Sequence, residues 1–330
     1  MCFRIVKKMK KIYYYILGFV FAVVFVVILL LSLKQSAISN YLLVSFYTNQ
    51  ISIFDPNSNK VVGNIDLGNS YVTRKILRYN DFAYVITTHQ IILISSNGSV
   101  KKIVNINETV ADAMIKDGKL YAVGLTQAPG IPCNSPEIAQ AFKTYIITFD
   151  PSSLSELSKV EFDQKRTDGF TILNDNFFLS SFFESKIYQV YEGKIVKEIQ
   201  LQEKSYPSQV LSFGNEIIVI GRAQIFSVPF DLSTQNTLLN ESICDYYSKA
   251  FIYNNKLYAT CFTGNKTIVY DLIQNKLIKQ INTTLPFYVW GFKDKIFVTS
   301  AVAKKLYTID PNTNEVIAVA DFEQPARVIG

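Results

Sequence analysis

One short pattern returns at a nearly constant interval along most of this 330-residue chain. A polar residue precedes an apolar run rich in aromatic and β-branched side chains: Asn40-YLLV, Asp81-FAYV, Lys119-LYAV, Asn176-FFLS, Glu216-IIVI, Lys256-LYAT and Lys295-IFVT. The first apolar residues are Tyr41, Phe82, Leu120, Phe177, Ile217, Leu257 and Ile296, spaced 41, 38, 57, 40, 40 and 39 residues apart. A unit of that length built from short strands cannot bury its apolar face alone, so it must stack on copies of itself. The composition agrees: 20 Tyr and 24 Phe favour strands over helices.

Three further strands fall into phase with each run. Turn residues precede most of the runs, as at Asp117-Gly118, Asn174-Asp175-Asn176, Gly214-Asn215 and Asn254-Asn255, where a hairpin often needs positive φ. A third strand follows: ISIF, IILI, YIITF, KIYQV, QIFSV, TIVY and KLYTI. Several end in Asp, at Asp55-Pro56, Asp150-Pro151, Asp310-Pro311, Asp231 and Asp271. Asp there accepts a bond from an amide two residues on, and Pro presets the turn. A fourth strand runs outermost, as in KVVGNIDL. Four strands per period of about 40 predict an all-β, seven-bladed β-propeller. Residues 51–68, ISIFDPNSNKVVGNIDLG, and residues 305–322, KLYTIDPNTNEVIAVADF, resemble the YVTN-type β-propeller repeat. The resemblance implies a propeller fold over roughly residues 40–330 and a tendency to bind partners, and no single reaction; the Asp-Pro turn it carries is missing from the second and fourth units.

Pro207 and Pro286 each stand 10 residues before a second strand, at Ile217 and Ile296. By the same step Pro325 opens a first strand, residues 326–330, with no second strand after it. The opening run 41–47 is a second strand with no first strand before it. Pairing the two closes the ring and removes both open edges.

Ile12 to Leu33 is an uncharged stretch of 22 residues. As a helix it spans about 33 Å, enough for a bilayer core of about 30 Å. Arg4, Lys7, Lys8, Lys10 and Lys11 precede it and Lys34 follows, with no acid among residues 1–34. The positive-inside rule predicts a cytoplasmic tail (1–11), an uncleaved signal-anchor helix (12–33) seated in the lipid bilayer of the cell membrane, a tether (34–40) and an extracytoplasmic propeller (41–330). A cleaved signal peptide, with Ala37 and Ser39 near its cut, is the competing reading; its apolar region normally runs about 7–15 residues. The 33 basic and 27 acidic residues balance to zero once the six of this segment are set aside, so nothing in the charge supports a nucleic-acid partner.

Strand order names the faces: fourth-to-first and second-to-third connections form the top, first-to-second and third-to-fourth the bottom. The chain enters at the bottom, so the top points away from the membrane. Five N-x-[ST] sequons are glycosylation candidates: Asn97 on the bottom, and Asn107, Asn240, Asn265 and Asn282 on or beside the top. The long interval is an insertion, Thr126 to Lys143, in a top connection, with Ser135-Pro136-Glu137 opening a short helix through Phe142. It is either a candidate binding element or an insertion packing over its own blade.

Little in the chain supports chemistry. His89 is the only histidine and reads as a surface turn residue. No second ligand pair, calcium loop, phosphate-binding loop or G-x-S-x-G motif accompanies it, so no metal, cofactor or catalytic residue is assigned. Cys2 lies on the cytoplasmic flank; Cys244 and Cys261 form the candidate disulfide, with Cys133 competing. Arg74, Lys75 and Arg78, and Lys165 and Arg166, read as solvated clusters. Tyr71, Tyr206, Tyr246, Tyr247 and Tyr288 lie near top connections, as a partner surface or as packing. Among first strands only Asp112 and Asp168 break an apolar or aromatic run. The expected function is a non-catalytic scaffold binding a protein, glycan or small solute outside the cell through the membrane-distal face. The alternatives are a lactonase- or lyase-type propeller enzyme with acids around its channel, or a subunit of a larger envelope complex.

Overall fold

A computed structural model describes residues 40–45, 50–68, 73–127, 142–162 and 166–322. The helix expected at 12–33 and the closing strand expected at 326–330 lie outside them. Among the described residues no helix is long and apolar enough to cross a membrane.

Seven antiparallel sheets follow one another in chain order, each a meander whose strands pair only with their sequence neighbours. Blade 6 is typical: Tyr247–Tyr253, Lys256–Cys261, Lys266–Asp271 and Lys276–Asn282. Blade 1 shows three strands, Leu42–Val44, Gln50–Asp55 and Lys60–Asp66. Innermost strands of successive blades lie side by side: Thr73–Tyr79, Thr109–Lys116, Thr167–Leu173, Gln209–Phe213, Tyr247–Tyr253 and Tyr288–Phe292. Burial follows this order. Second and third strands read buried almost throughout, as in EIIVI and KTIVYD, because both faces meet another blade; the outermost strand of blade 4, KIVKEIQ, is exposed nearly along its length.

Local sequence chooses the turns. The first-to-second hairpins of blades 3, 4, 6 and 7 place both turn residues at positive φ, as at Asp117-Gly118 (48°, 70°), Asn254-Asn255 (47°, 62°) and Lys293-Asp294 (45°, 55°), while those of blades 2 and 5 do so at Asn80 (51°) and Gly214 (57°). At the third-to-fourth turns Asp55, Asp231, Asp271 and Asp310 each accept from the amide two residues on, at 2.9, 3.1, 2.9 and 2.8 Å. Blade 2 replaces that Asp with Asn97, whose side chain binds Ser95 and Ser99. Blade 4 turns on Glu192-Gly193 at φ 48° and 75°.

Among the described residues, blades 1 and 7 are joined by packing and side-chain bonds. Lys256 Nζ, at the start of a second strand, donates to the Pro311 carbonyl of the next blade at 2.7 Å. Lys295 repeats that bond from blade 7 to blade 1, reaching the Pro56 carbonyl at 3.0 Å. Asn59 of blade 1 donates to the Val319 carbonyl on the outermost strand of blade 7 at 3.2 Å. Between these bonds Leu42, Val44 and Phe54 share one buried cluster with Phe297, Leu306 and Phe322.

Two expectations are corrected. The insertion is narrower than Thr126 to Lys143, because Thr126, Gln127, Phe142 and Lys143 are paired strand residues, and the connection between the strands is 128–141. Phe142 therefore ends no helix: ladder pairing across the hairpin overrides the local signal read there. The rest of that helix lies outside the described residues.

Candidate functional site

The top end of the channel collects the polar side chains of the innermost strands. Counting back eight residues from each second strand's first apolar residue gives Arg74, Asp112, Gly169, Gln209, Lys249 and Tyr288. In blades 2, 3, 4 and 6 the register of the innermost strand shifts at this level, between Thr73 and Lys75, Val110 and Asp112, Thr167 and Gly169, and Tyr247 and Ala250. A bulge lets consecutive residues turn out of the pleat and re-aims their side chains. Lys75, Asp112, Asp168 and Lys249 stand at or beside these bulges.

Each carboxylate has its own cation. Lys75 Nζ meets Asp112 Oδ1 at 2.8 Å, joining blades 2 and 3. Arg166 Nη2 meets Asp168 Oδ1 at 3.1 Å, and its guanidinium also covers the rings of Phe183 (4.8 Å) and Phe142 (5.1 Å). Asp168 Oδ2 is buried without a hydrogen-bond partner among the described residues. Burial pushes the Asp168 carboxyl up, against the opposing pull of Arg166 and then Lys249. Arg74 and Lys75 are thus not a solvated pair: Arg74 is exposed, but Lys75 is drawn into the channel by Asp112.

Lys249 lies among these groups. It is half-buried among them. Burial lowers its pKa; Asp112 and Asp168 oppose the shift, and Lys75 and Arg74 reinforce it. The ammonium donates to the Ser208 carbonyl at 3.3 Å and makes no ion pair among the described residues. Its backbone is fixed from both sides. The Thr260 hydroxyl donates to the Lys249 carbonyl (2.8 Å) and accepts from its amide (3.0 Å). The Gln209 side chain brackets Ala250, donating to its carbonyl (3.0 Å) and accepting from its amide (2.8 Å). Gly169 admits this closeness, since a Cβ there would stand 2.7 Å from the Gln209 Cα.

Aromatic rings rim the mouth. Tyr246, Phe262, Phe287 and Tyr288 follow one another with centroids 6.0, 6.0 and 5.2 Å apart. Phe183, Phe182 and Tyr206 form a second group at 5.3 and 5.1 Å. Arg222 stands over Tyr246 at 5.7 Å. Tyr206, Tyr246 and Tyr288 are thus rim residues. Tyr247 is instead core, 1% exposed, and Tyr71 lies outside the described residues. The sequence reading missed Lys249, Phe182, Phe262 and Phe287. Phe182, Arg222 and Phe262 occupy one repeat position, five residues past the first apolar residue of a second strand, so the phase held that signal.

The other candidates lie apart. Cys244 and Cys261 are joined in a disulfide at the top of blade 6. With Asp245 they make the one group of potential metal-binding type among the described residues, and both sulfurs are spent on each other. His89 is in the top turn of blade 2, its amide facing the Thr87 hydroxyl at 3.4 Å. All five sequon residues are exposed. Asn97 sits in a bottom turn, Asn265 in a top turn, Asn107 and Asn240 between blades, and Asn282 at the top end of a fourth strand. Arg78 belongs to the lower channel, where it donates to the Tyr41 carbonyl and covers the Phe292 ring at 5.0 Å; burial lowers it to about 10.

No family model and no curated protein matches the chain. Solved structures match its fold. The hydrazine synthase of Kuenenia stuttgartiensis shares 11% identity over 82% of this chain and 92% of that one, with a TM-score of 0.66. The computationally designed Ika8 protein shares 10% over 88% and 89%, at 0.58. Apo AztD from Citrobacter koseri shares 11% over 86% and 95%, at 0.57. At such identities the likeness is one of fold alone.

Proposed function

We propose that this chain is a membrane-anchored, extracytoplasmic propeller of YVTN type that binds a ligand or partner at the top of its channel and performs no reaction of its own. The observation carrying this reading is the contrast between the two ends of the ring. At the top, bulged inner strands gather charged side chains inside a rim of aromatic rings, the residue mix that recognition surfaces favour. At the bottom, Lys and Tyr side chains are already consumed by turn carbonyls, as in Lys256 to Pro311, Lys295 to Pro56 and Tyr84 to Pro151. The channel acids Asp112 and Asp168 are each bound by a cation, which favours binding over an ion-assisted lactonase or lyase reaction.

The direction of the ring supports the anchor. Lys293, in the bottom hairpin of blade 7, holds Asn40 through its carbonyl (3.2 Å) and side chain (2.9 Å), so the chain leaves the ring at its bottom end. Residues 34–39 then reach at most about 20 Å before the apolar segment 12–33. A bottom face toward the bilayer leaves the aromatic rim pointing away, with Asn107, Asn240, Asn265 and Asn282 around it as glycan acceptors. A photo-cross-linking side chain placed at Phe183 or Phe262 captures the partner in intact membranes, and one placed at Asn57 in a bottom turn does not. Equal capture from both ends refutes the assignment of the face. Protease applied to intact cells removes the C-terminal portion and spares residues 1–11; the reverse pattern refutes the orientation.

A further inference from the structure

We propose that the lower outer edge of the ring lies on the bilayer surface, with exposed apolar side chains of the outermost strands among the lipid headgroups and neighbouring lysines at the lipid phosphates. The proposal rests on the anchor and the ring direction argued above, and adds the surface that meets the membrane. Single exposed apolar residues are ordinary on any protein. Here their placement repeats from blade to blade. The third-to-fourth turns are at the bottom, so the first residues of each outermost strand form the lower edge. Val62, Val100, Leu157, Val196 and Ile317 all lie within the first three residues of their outermost strands, and all are exposed. Blade 6 adds Ile273 in its bottom turn, at 64% the most exposed large apolar residue among the described ones. Ile103, Val160 and Val319 continue the apolar surface part-way up the wall. The upper ends of these strands are polar: Asp66, Asn105, Gln200, Asn282 and Asp321 are exposed there.

The polar residues of the edge fit the same partner. Lys60, Lys194 and Lys276 are the first residues of their strands, and Lys101 follows Val100. A lysine beside an apolar residue suits the headgroup region, where its stem lies along apolar surface and its ammonium stays at the phosphates. Acids are interleaved with them. Glu315 is paired with Lys279 at 3.2 Å, and the turn carboxylates of Asp55, Asp271 and Asp310 are folded onto their own amides, while Glu156 and Glu192 are exposed. Mixed charge of this kind suits a zwitterionic lipid surface, with the apolar residues driving contact. The course of the chain brings the edge there. Lys293 holds Asn40 at the bottom of the ring, and residues 34–39 reach at most about 20 Å from it to the segment 12–33. Docking on so short a tether is intramolecular, so a surface too small to capture lipid from solution is sufficient.

The test uses the full-length protein in phosphatidylcholine vesicles that carry a nitroxide near the headgroup. An environment-sensitive fluorescent side chain is placed at Val62, Leu157 or Ile273, or at Val302. Val302 is likewise an exposed apolar residue, at 46%, but lies in a top turn of blade 7. Emission from the three edge positions is quenched by the nitroxide lipid and moves to shorter wavelength on reconstitution; emission from Val302 does neither. Combining Val62→Asp, Leu157→Asp and Ile273→Asp abolishes the quenching of a label at Val196 and leaves the melting temperature unchanged, because all three side chains are exposed. Unquenched edge labels in vesicles with which the protein floats overturn the docking and leave the anchor standing. A protein that does not float with the vesicles overturns both. Quenching at Val302 as strong as at the edge, or retained quenching at Val196 in the triple variant, overturns the proposal. Edge labels shielded from lipid in a protein that sediments as a dimer assign the edge to a second copy of the chain and overturn it as well.

Discussion

Replacing Phe54 by Ala measures whether the ring is closed in solution. Phe54 lies on the second described strand of blade 1, yet it is fully buried because Phe297 and Phe322 of blade 7 cover it, with ring centroids 6.5 and 6.0 Å away. Truncating a buried Phe costs about 3–5 kcal/mol, the aromatic pairings included. A propeller of about 280 residues unfolds with an entropy near 0.6 kcal/mol per kelvin, taking about 2.1 cal/mol/K for each residue. The expected fall in Tm is therefore about 5–8 °C. Val61→Ala on the outermost strand of the same blade, where the side chain is 40% exposed, shifts stability by less than about 0.5 kcal/mol. Differential scanning calorimetry of both variants, and of Phe297→Ala with and without Phe54→Ala, separates the cases. Contact across the seam gives a coupling of at least about 0.5 kcal/mol between the two truncations. A Phe54→Ala cost below about 1 kcal/mol, or strict additivity with Phe297→Ala, would mean that blades 1 and 7 do not pack on each other.

Three more outcomes follow from the same geometry. Changing both Cys244 and Cys261 to Ser opens a loop closed over 17 residues, with an expected loss of about 3 kcal/mol from chain entropy; equal melting points with and without reductant would count against the bridge. Gly169→Ala puts a Cβ 2.7 Å from the Gln209 Cα and costs about 1–3 kcal/mol, whereas Gly63→Ala, whose nearest neighbour is the Ile53 side chain at 3.6 Å, is close to neutral; urea midpoints showing the opposite order would refute the close approach of blades 4 and 5. Lys249, facing Asp112, Asp168, Lys75 and Arg74, has its pKa lowered by burial, so the folded state sheds that proton first and stability rises with pH from the lowered value up to 10.5. Asp168, whose carboxyl burial raises, acts in the acid range, where stability falls as pH climbs from 3.8 to its raised value; Lys249→Met removes the first slope and Asp168→Asn the second, and unchanged urea-midpoint profiles in both would exclude them as the groups responsible.

The forty-residue period made the blades legible because strand pairing in a propeller is local. Each strand bonds to its sequence neighbour, so a run such as Lys256-LYAT and the Asn254-Asn255 turn before it already state their partners. The Asp turns were readable for the same reason: Asp55 and Asp310 satisfy amides two residues away. The ends of the insertion were misplaced because pairing of Phe142 with Gln127 spans the connection between them, and no local signal reports it.

The mouth was only half legible. Asp112 and Asp168 stood out from apolar inner strands, but Lys75 read as a surface cation because its partner lies 37 residues away on another blade. Lys249 shares its repeat position with Asp112, but nothing local set it apart, since what distinguishes it is the hydroxyl and amide groups that pin its bulge, all of them brought in from other strands. The order of residues along the chain was thus enough for the fold class, the blade count and the turn chemistry, which depend on periods and nearest neighbours. Which cations are matched and which rings gather at the mouth depend on seven blades meeting around one axis, and those contacts exist only once the chain has come full circle.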